Sequence, residues 1–334
     1  MTASTASIPV VDMRPAAPSS ARMRTTGLLL GITSALAFSS SGPLVKPLLE
    51  AGWSLGAALF VRMTLAGVIL SPALVRAMRR RPGFLRRHWR MIVAFGLLPV
   101  LGCQLFYFAA MQRMPVAVAL LIQYLAPVLL VGFVWLRTRR APSRLVLWGS
   151  VTAVVGLVLV VNIAGAAFDL LGTLFALAAA VCVCFYFVLS ERAGDDLPPL
   201  ALAAGGLLVG AAAIGALCAF RILPFQSPLV SVSLDGVVVP WYIPMLWVGA
   251  VATTLGYAFG VMAVPRIGSR VASFVGLSEV LFALAFAWLL LGEVPAPIQF
   301  VGGGLILLGV VLVRADASSD RSSRDVSLPA APAP

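Results

Sequence analysis

The sequence predicts an all-α integral membrane protein, with ten transmembrane helices arranged as two inverted-topology five-helix repeats. Three observations predict it: the composition, the regular return of long apolar runs, and a resemblance between the two halves of the chain. Of its 334 residues 61% are hydrophobic and 11% charged. Soluble domains carry about 45–50% apolar and about 25% charged residues, so a soluble globule could not cover a core this large with polar side chains. Disordered chains and small disulfide scaffolds are excluded on the same ground. The net charge of +12 is compatible in principle with a nucleic-acid partner or an anionic surface, and the placement of the charges decides between them.

Residues 1–24, rich in Ala, Ser, Pro and Thr, lack the apolar core of a signal peptide and read as a disordered cytoplasmic lead. Apolar runs of about 20 residues then recur, each long enough to cross a ~30 Å hydrocarbon layer as a helix. They fall at 27–47, 54–77, 89–111, 116–136, 143–163, 170–190, 198–220, 241–264, 269–291 and 296–314. Strands are not expected, because the runs do not alternate with polar residues as barrel strands must. Residues 25–164 then form a first repeat and 165–314 a second, and 315–334 read as a disordered cytoplasmic tail.

Charge fixes the expected orientation. With ten spans and an inside N-terminus, 20 of the 24 basic residues fall in inside segments, seven of them between Arg76 and Arg90. Outside segments hold only Lys46, Arg113 and Arg221, and Arg62 lies within a span. This positive-inside bias places both termini in the cytoplasm of a multi-pass protein of the cell membrane. The basic loop is therefore a topology determinant, and no nucleic-acid partner is expected.

The halves resemble each other. Trp135, Pro142, Gly149 and Gly156 recur as Trp288, Pro295, Gly302 and Gly309 at an offset of 153, which Phe106/Phe259 and Arg113/Arg266 share. At the front of each half the offset is nearer 145, as in Gly27/Gly172 and Ala35/Ala180. The longer Pro-containing segment 222–240 accounts for the difference. Five spans per half is an odd number, so the second copy enters the membrane upside down. Inverted repeats of this kind are common in secondary transporters, with the substrate site near the midplane between the halves.

The stretch Ser278-Glu279-Val280-Leu281-Phe282-Ala283, followed by Ala287-Trp288-Leu289-Leu290-Leu291-Gly292-Glu293 and the Gly302…Gly309 pair, resembles the EamA repeat of the drug/metabolite transporter superfamily. Phe60-Val61-Arg62-Met63-Thr64-Leu65-Ala66-Gly67 and Pro127 in the first half are similar to it too. The resemblance covers about residues 27–314. It implies a secondary active transporter that exports a small metabolite, an amino acid or a drug-like solute. Two departures stand out: Val280 occupies the place where the family usually has Pro, and Arg139-Arg140 replaces the Gly-Glu that ends the matching span.

Charges at membrane depth are costly and face the interior of a bundle. Arg62 and Glu279 lie at depths that differ by roughly 8 Å along their helices. Three readings are open: a permanent structural ion pair, an Arg62 that snorkels outward, or a Glu279 that takes up and releases protons during transport, tuned by Arg62. Polar residues gather at similar depth, with Ser40 in the Ser39–Ser41 run, Gln104 and Tyr107 on the third span, and Gln123 and Tyr124 on the fourth. With Arg62 and Glu279 they form the candidate substrate-binding set, the alternative being hydrogen bonds between helices. Lys46 and Glu50 are an outer pair or an outer gate, and Pro99, Pro127 and Pro244 are candidate kinks.

Enzyme chemistry finds no footing in these residues. The single His88 lies in the basic loop, no phosphate-loop motif is present, and Cys103, Cys182, Cys184 and Cys218 fall in apolar runs as packing residues. No cofactor or metal is expected. The partners are a small-molecule solute, protons on the coupled reading, and membrane lipid. The rival classes are a passive channel, a membrane scaffold and a lipid or drug flippase.

Overall fold

The computed structural model describes residues 20–126, 128–129, 135, 139, 144–161, 169–192, 196–276, 278–292, 296–298, 300–309 and 311–312. Most of both expected tails lies outside the described residues, as do Pro127, Leu136, Arg137, Arg140, Pro142, Glu293 and Pro295. The described residues are mostly helical. Six helical segments are long and apolar enough to cross a membrane: Met23–Glu50, Leu55–Arg80, Phe84–Met111, Leu170–Ser190, Pro199–Ala219 and Tyr242–Gly268. Three shorter apolar helices, Arg144–Gly156, Ser278–Leu291 and Phe300–Gly309, fall within the fifth, ninth and tenth expected spans.

The first span is two helices, α1 (Ser20–Ser39) and α2 (Ser41–Glu50). The Ser39 and Ser40 hydroxyls donate back to the Leu36 and Ala37 carbonyls at 2.8 Å each. Such local bonds compete with the helix ladder and bend it. Helix α3 (Leu55–Arg80) is N-capped by Ser54, whose hydroxyl accepts from the Ala57 amide at 3.2 Å. Helix α4 (Phe84–Phe95) runs into a π-helical turn, Gly96–Gly102, and then α5 (Cys103–Met111). Helix α6 (Val116–Gln123) and helix α7 (Arg144–Val161) complete the described part of the first half.

The second half opens with α8 (Leu170–Glu191) and α9 (Pro199–Ala219). A two-stranded antiparallel hairpin comes next, β1 (Ser231–Leu234) and β2 (Val237–Pro240), with Leu234 opposite Val237. It corrects the expectation of no strands. Asp235 and Gly236, at φ 47° and 83°, form the tight turn. An Asp-Gly pair between β-branched runs favours that turn. Beyond it come α10 (Tyr242–Leu246), a second π-helical turn (Trp247–Thr253) and α11 (Thr254–Gly276), then α12 (Ser278–Leu291) and α13, the Phe300–Gly309 helix. Inside α11 the backbone breaks at Gly268 (φ 77°, ψ 153°), just before residue 269, where the ninth apolar run begins.

The packing is reciprocal between the halves. Helix α1 packs on α11 and α12, and its counterpart α8 packs on the matching α5 and α6. Counterparts also meet each other in antiparallel pairs. A methyl placed on Gly56 of α3 would touch Cys218 of α9, while one on Gly67 would touch Leu208. At the α7–α13 crossing, Gly156 opposes Gly302 and Gly309 opposes Gly149. The residue numbers climb on one helix as they fall on the other, so equivalent helices of the two halves run in opposite directions. Large apolar side chains such as Trp148, Trp288 and Leu289 are exposed on the outside of this bundle, as a lipid-facing surface requires.

Candidate functional site

Helices α1, α5, α6, α8, α11 and α12 enclose a cavity of about 100 Å³ between the two halves. A water needs about 10–15 Å³ of such space, so the cavity takes several waters or one small solute. Its walls are aromatic on one side, with Phe38 edge-on to Tyr257 at 5.0 Å and Tyr186 edge-on to Phe187 at 5.3 Å. The polar groups among them are Ser34, Gln104, Gln123, Tyr124 and Glu279.

The two π-helical turns lie at matching places in the repeats and lead into the helices that carry Gln104 and Tyr257. A π turn widens the helix locally and re-aims the residues beyond it, and Pro99 in the first turn has no amide to donate. Gln104 and Tyr257 are counterparts at the offset of 153, and they meet. Gln104 Nε2 donates to Tyr257 Oη at 3.4 Å, and Tyr257 Oη donates to the Pro99 carbonyl at 3.4 Å.

Behind Gln104 stands Arg62, with 0% of its surface exposed. Its Nε donates to Thr253 Oγ1 and its Nη1 to Gln104 Oε1, each at 2.9 Å, and the guanidinium lies 4.9 Å above the centre of the Phe108 ring. A guanidinium only donates. It therefore fixes the Gln104 amide with its oxygen toward Arg62 and its NH2 toward Tyr257. Arg62 Nη2 has no hydrogen-bond partner among the described residues. On the other side, Tyr124 Oη donates to Glu279 Oε2 at 2.8 Å, and the buried Gln123 Oε1 is unpartnered among the described residues. The cavity lining thus includes an amide N–H of Gln104 and the carboxyl group of Glu279.

Of the seven candidate residues, Gln104, Gln123, Tyr124 and Glu279 line the cavity, and Arg62 touches it through Gln104. Ser40 sits at the α1–α2 break, donating to Ala37 and accepting from Trp247 Nε1 at 3.1 Å. Tyr107 turns toward Gly42 of α2, because three helical residues carry it about 60° round and about 4.5 Å along from Gln104. Arg62 and Glu279 do not pair with each other: Arg62 bonds to Thr253 and Gln104, and Glu279 accepts from Tyr124. Depth along the helices left the lateral direction open. Arg62 turns toward α5 and Glu279 toward α6. Ser34, Phe38, Tyr186 and Tyr257 also line the cavity and lie outside the candidate set. Tyr257 was within reach of the repeat offset, as the counterpart of Gln104.

Helical halves of opposite direction around a largely apolar cavity with a few polar groups have the architecture of a two-repeat membrane transporter. The EamA-like transporter family matches residues 25–162 and 170–315, and the chain belongs to that family. It is similar to the threonine/homoserine exporter RhtA of Escherichia coli K12, O6:H1 and O157:H7, at 27% identity over 211 residues. Each match covers 62% of this chain and 65% of the exporter, just under two thirds of the relatives' length. A crystal structure of a protein 20% identical to it superposes with a TM-score of 0.59, over 91% of this chain and all of that one. At that identity the likeness is one of fold.

Proposed function

We propose that the protein is a secondary active transporter that exports a small organic metabolite, of amino-acid or drug-like size, across the cell membrane by alternating access. In this reading ten spans form two inverted repeats of five, with both termini in the cytoplasm. The observation that carries it is the cavity shared by equivalent helices of the two halves, since rocking one half against the other opens such a cavity to either side in turn. The lining supports an amino-acid-like solute. Gln104 offers the N–H not given to Tyr257 to a carboxylate, and Glu279 with Gln123 offers acceptors to an ammonium group. Glu279 is also the candidate proton carrier, being the carboxyl group that lines the cavity.

Proteoliposomes carrying the full chain test this reading. Labelled threonine and homoserine, the solutes in the names of the similar exporters, are the first to try. A carrier exchanges labelled for unlabelled solute and saturates. Flux that rises without limit and shows no counterflow overturns the carrier reading. Glu279→Gln should abolish transport driven by a pH gradient while membrane insertion persists; an unchanged response to pH removes Glu279 as the proton carrier.

A further inference from the structure

The matched ends of the two halves differ in charge. At the end where α5 meets α8, Arg113 packs against Gly172, and its Nη1 pairs with Asp169 Oδ2 at 3.1 Å. The Asp169 carboxylate also accepts from the Gly172 amide at 2.7 Å. That amide above all, with Arg113 beside it, holds the Asp169 carboxyl below the usual carboxylate range. At the matching end, Gly27 of α1 packs against Arg266 of α11 in the same manner. Here the pairing fails. The residue 145 places before Asp169 is Arg24.

A guanidinium thus replaces the carboxylate, and the second half's Arg266 faces Arg24 across a groove of about 290 Å³ completed by Met23, Ile267 and Val271. No acidic side chain lines that groove among the described residues. Two cations sharing a groove repel, and an anion between them converts the repulsion into two attractions. The guanidinium forks suit phosphate oxygens, which they bind in pairs. The three apolar side chains suit an acyl chain beside the headgroup. On the proposed orientation with both termini in the cytoplasm, on which this inference rests, the groove opens at the anionic cytoplasmic leaflet.

We propose that Arg24 and Arg266 hold the phosphate of an anionic phospholipid headgroup, which takes the structural place that Asp169 fills at the opposite end. The bound lipid ties the start of α1 to α11 as Asp169 ties α8 to α5.

Full-length protein in a neutral detergent is titrated with phosphatidylglycerol, phosphatidylcholine or inorganic phosphate while thermal unfolding is followed. Phosphatidylglycerol should raise the melting temperature by about 4 °C or more at saturation, as expected for a ligand bound to the folded state alone. Phosphatidylcholine and free phosphate should do far less. The Arg24→Gln/Arg266→Gln double variant should lose the shift. Arg24→Asp should rebuild the ion pair, melting higher without lipid and responding little to it. An equal response to inorganic phosphate overturns the lipid as the source. A full phosphatidylglycerol shift in the double variant overturns the site. These readouts require no transport, and a terminal reporter reads the orientation separately, so failure here and failure of the transporter reading are distinguishable.

Discussion

Arg62 is the largest fully buried side chain among the described residues. It is a fully buried guanidinium whose hydrogen-bond partners are neutral, Thr253 and Gln104, and whose nearest ring is Phe108. Truncation leaves the Gln104 oxygen and the Thr253 hydroxyl without their donor, at a cost of about 1–3 kcal/mol for a buried unsatisfied group. Arg62→Ala should therefore lower the melting temperature in detergent. Arg62→Lys should recover only part of the loss, because one ammonium cannot reproduce the two-pronged contact of Nε and Nη1. Combined with Gln104→Ala, the loss should be less than additive, with a coupling of about 0.5–3 kcal/mol. Strict additivity would show that the two residues act independently. At this scale the sequence discloses which residues are polar at depth, and four of these, Gln104, Gln123, Tyr124 and Glu279, line the cavity. It does not disclose azimuth. Tyr107 and Ser40 are equally polar candidates, and Tyr186 and Phe187 cannot be told from lipid-facing aromatics because both sit in an unbroken apolar run.

Elements are held together by close backbone approach. A methyl on Gly156 would lie 2.5 Å from the Gly302 carbonyl oxygen and 2.7 Å from the Ile306 amide nitrogen, atoms that cannot step aside. Gly156→Ala should push α7 and α13 apart, costing about 1–3 kcal/mol as overpacking. Gly304, on the same helix as Gly302, has open space where its methyl would go. Gly304→Ala should be neutral or stabilising by up to about 1 kcal/mol. Equal effects at the two positions, read by thermal unfolding, would contradict the crossing described. Hydropathy makes the long helices legible because a lipid solvent demands a minimum run of apolar residues. The π turns are not legible, since one extra residue per turn leaves composition untouched. The hairpin carries its own turn signal in Leu234-Asp235-Gly236-Val237, but that signal is local and short, and membrane-spanning periodicity does not register it.

For the whole molecule, the distribution of arginine fixes the expected orientation and makes it testable. A fluorescent reporter fused to the C-terminus should mature in the cytoplasm, and alkaline phosphatase at the same place should stay inactive; the opposite pair of results would reverse the orientation. The deepest difference between the halves lies elsewhere. The hairpin segment is strapped to the α2–α3 turn, where Trp53 Nε1 donates to the Pro228 carbonyl at 3.0 Å and the Gln226 amide donates to Ser54 Oγ at 2.9 Å. Trp53 also lies against Trp241. The segment, at 222–240, is longer by eight residues than its counterpart in the first half, as the change of offset from 145 to 153 requires. On the proposed alternating-access reading, identical halves would make the inward-open and outward-open forms two-fold equivalents of equal free energy, with no resting side. The hairpin at one rim and the exposed Arg81–Asp196 and Arg87–Asp196 pairs at the other lift that degeneracy. On that reading the unequal rims favour one idle form, an asymmetry between loading and unloading that no residue in the cavity needs to supply.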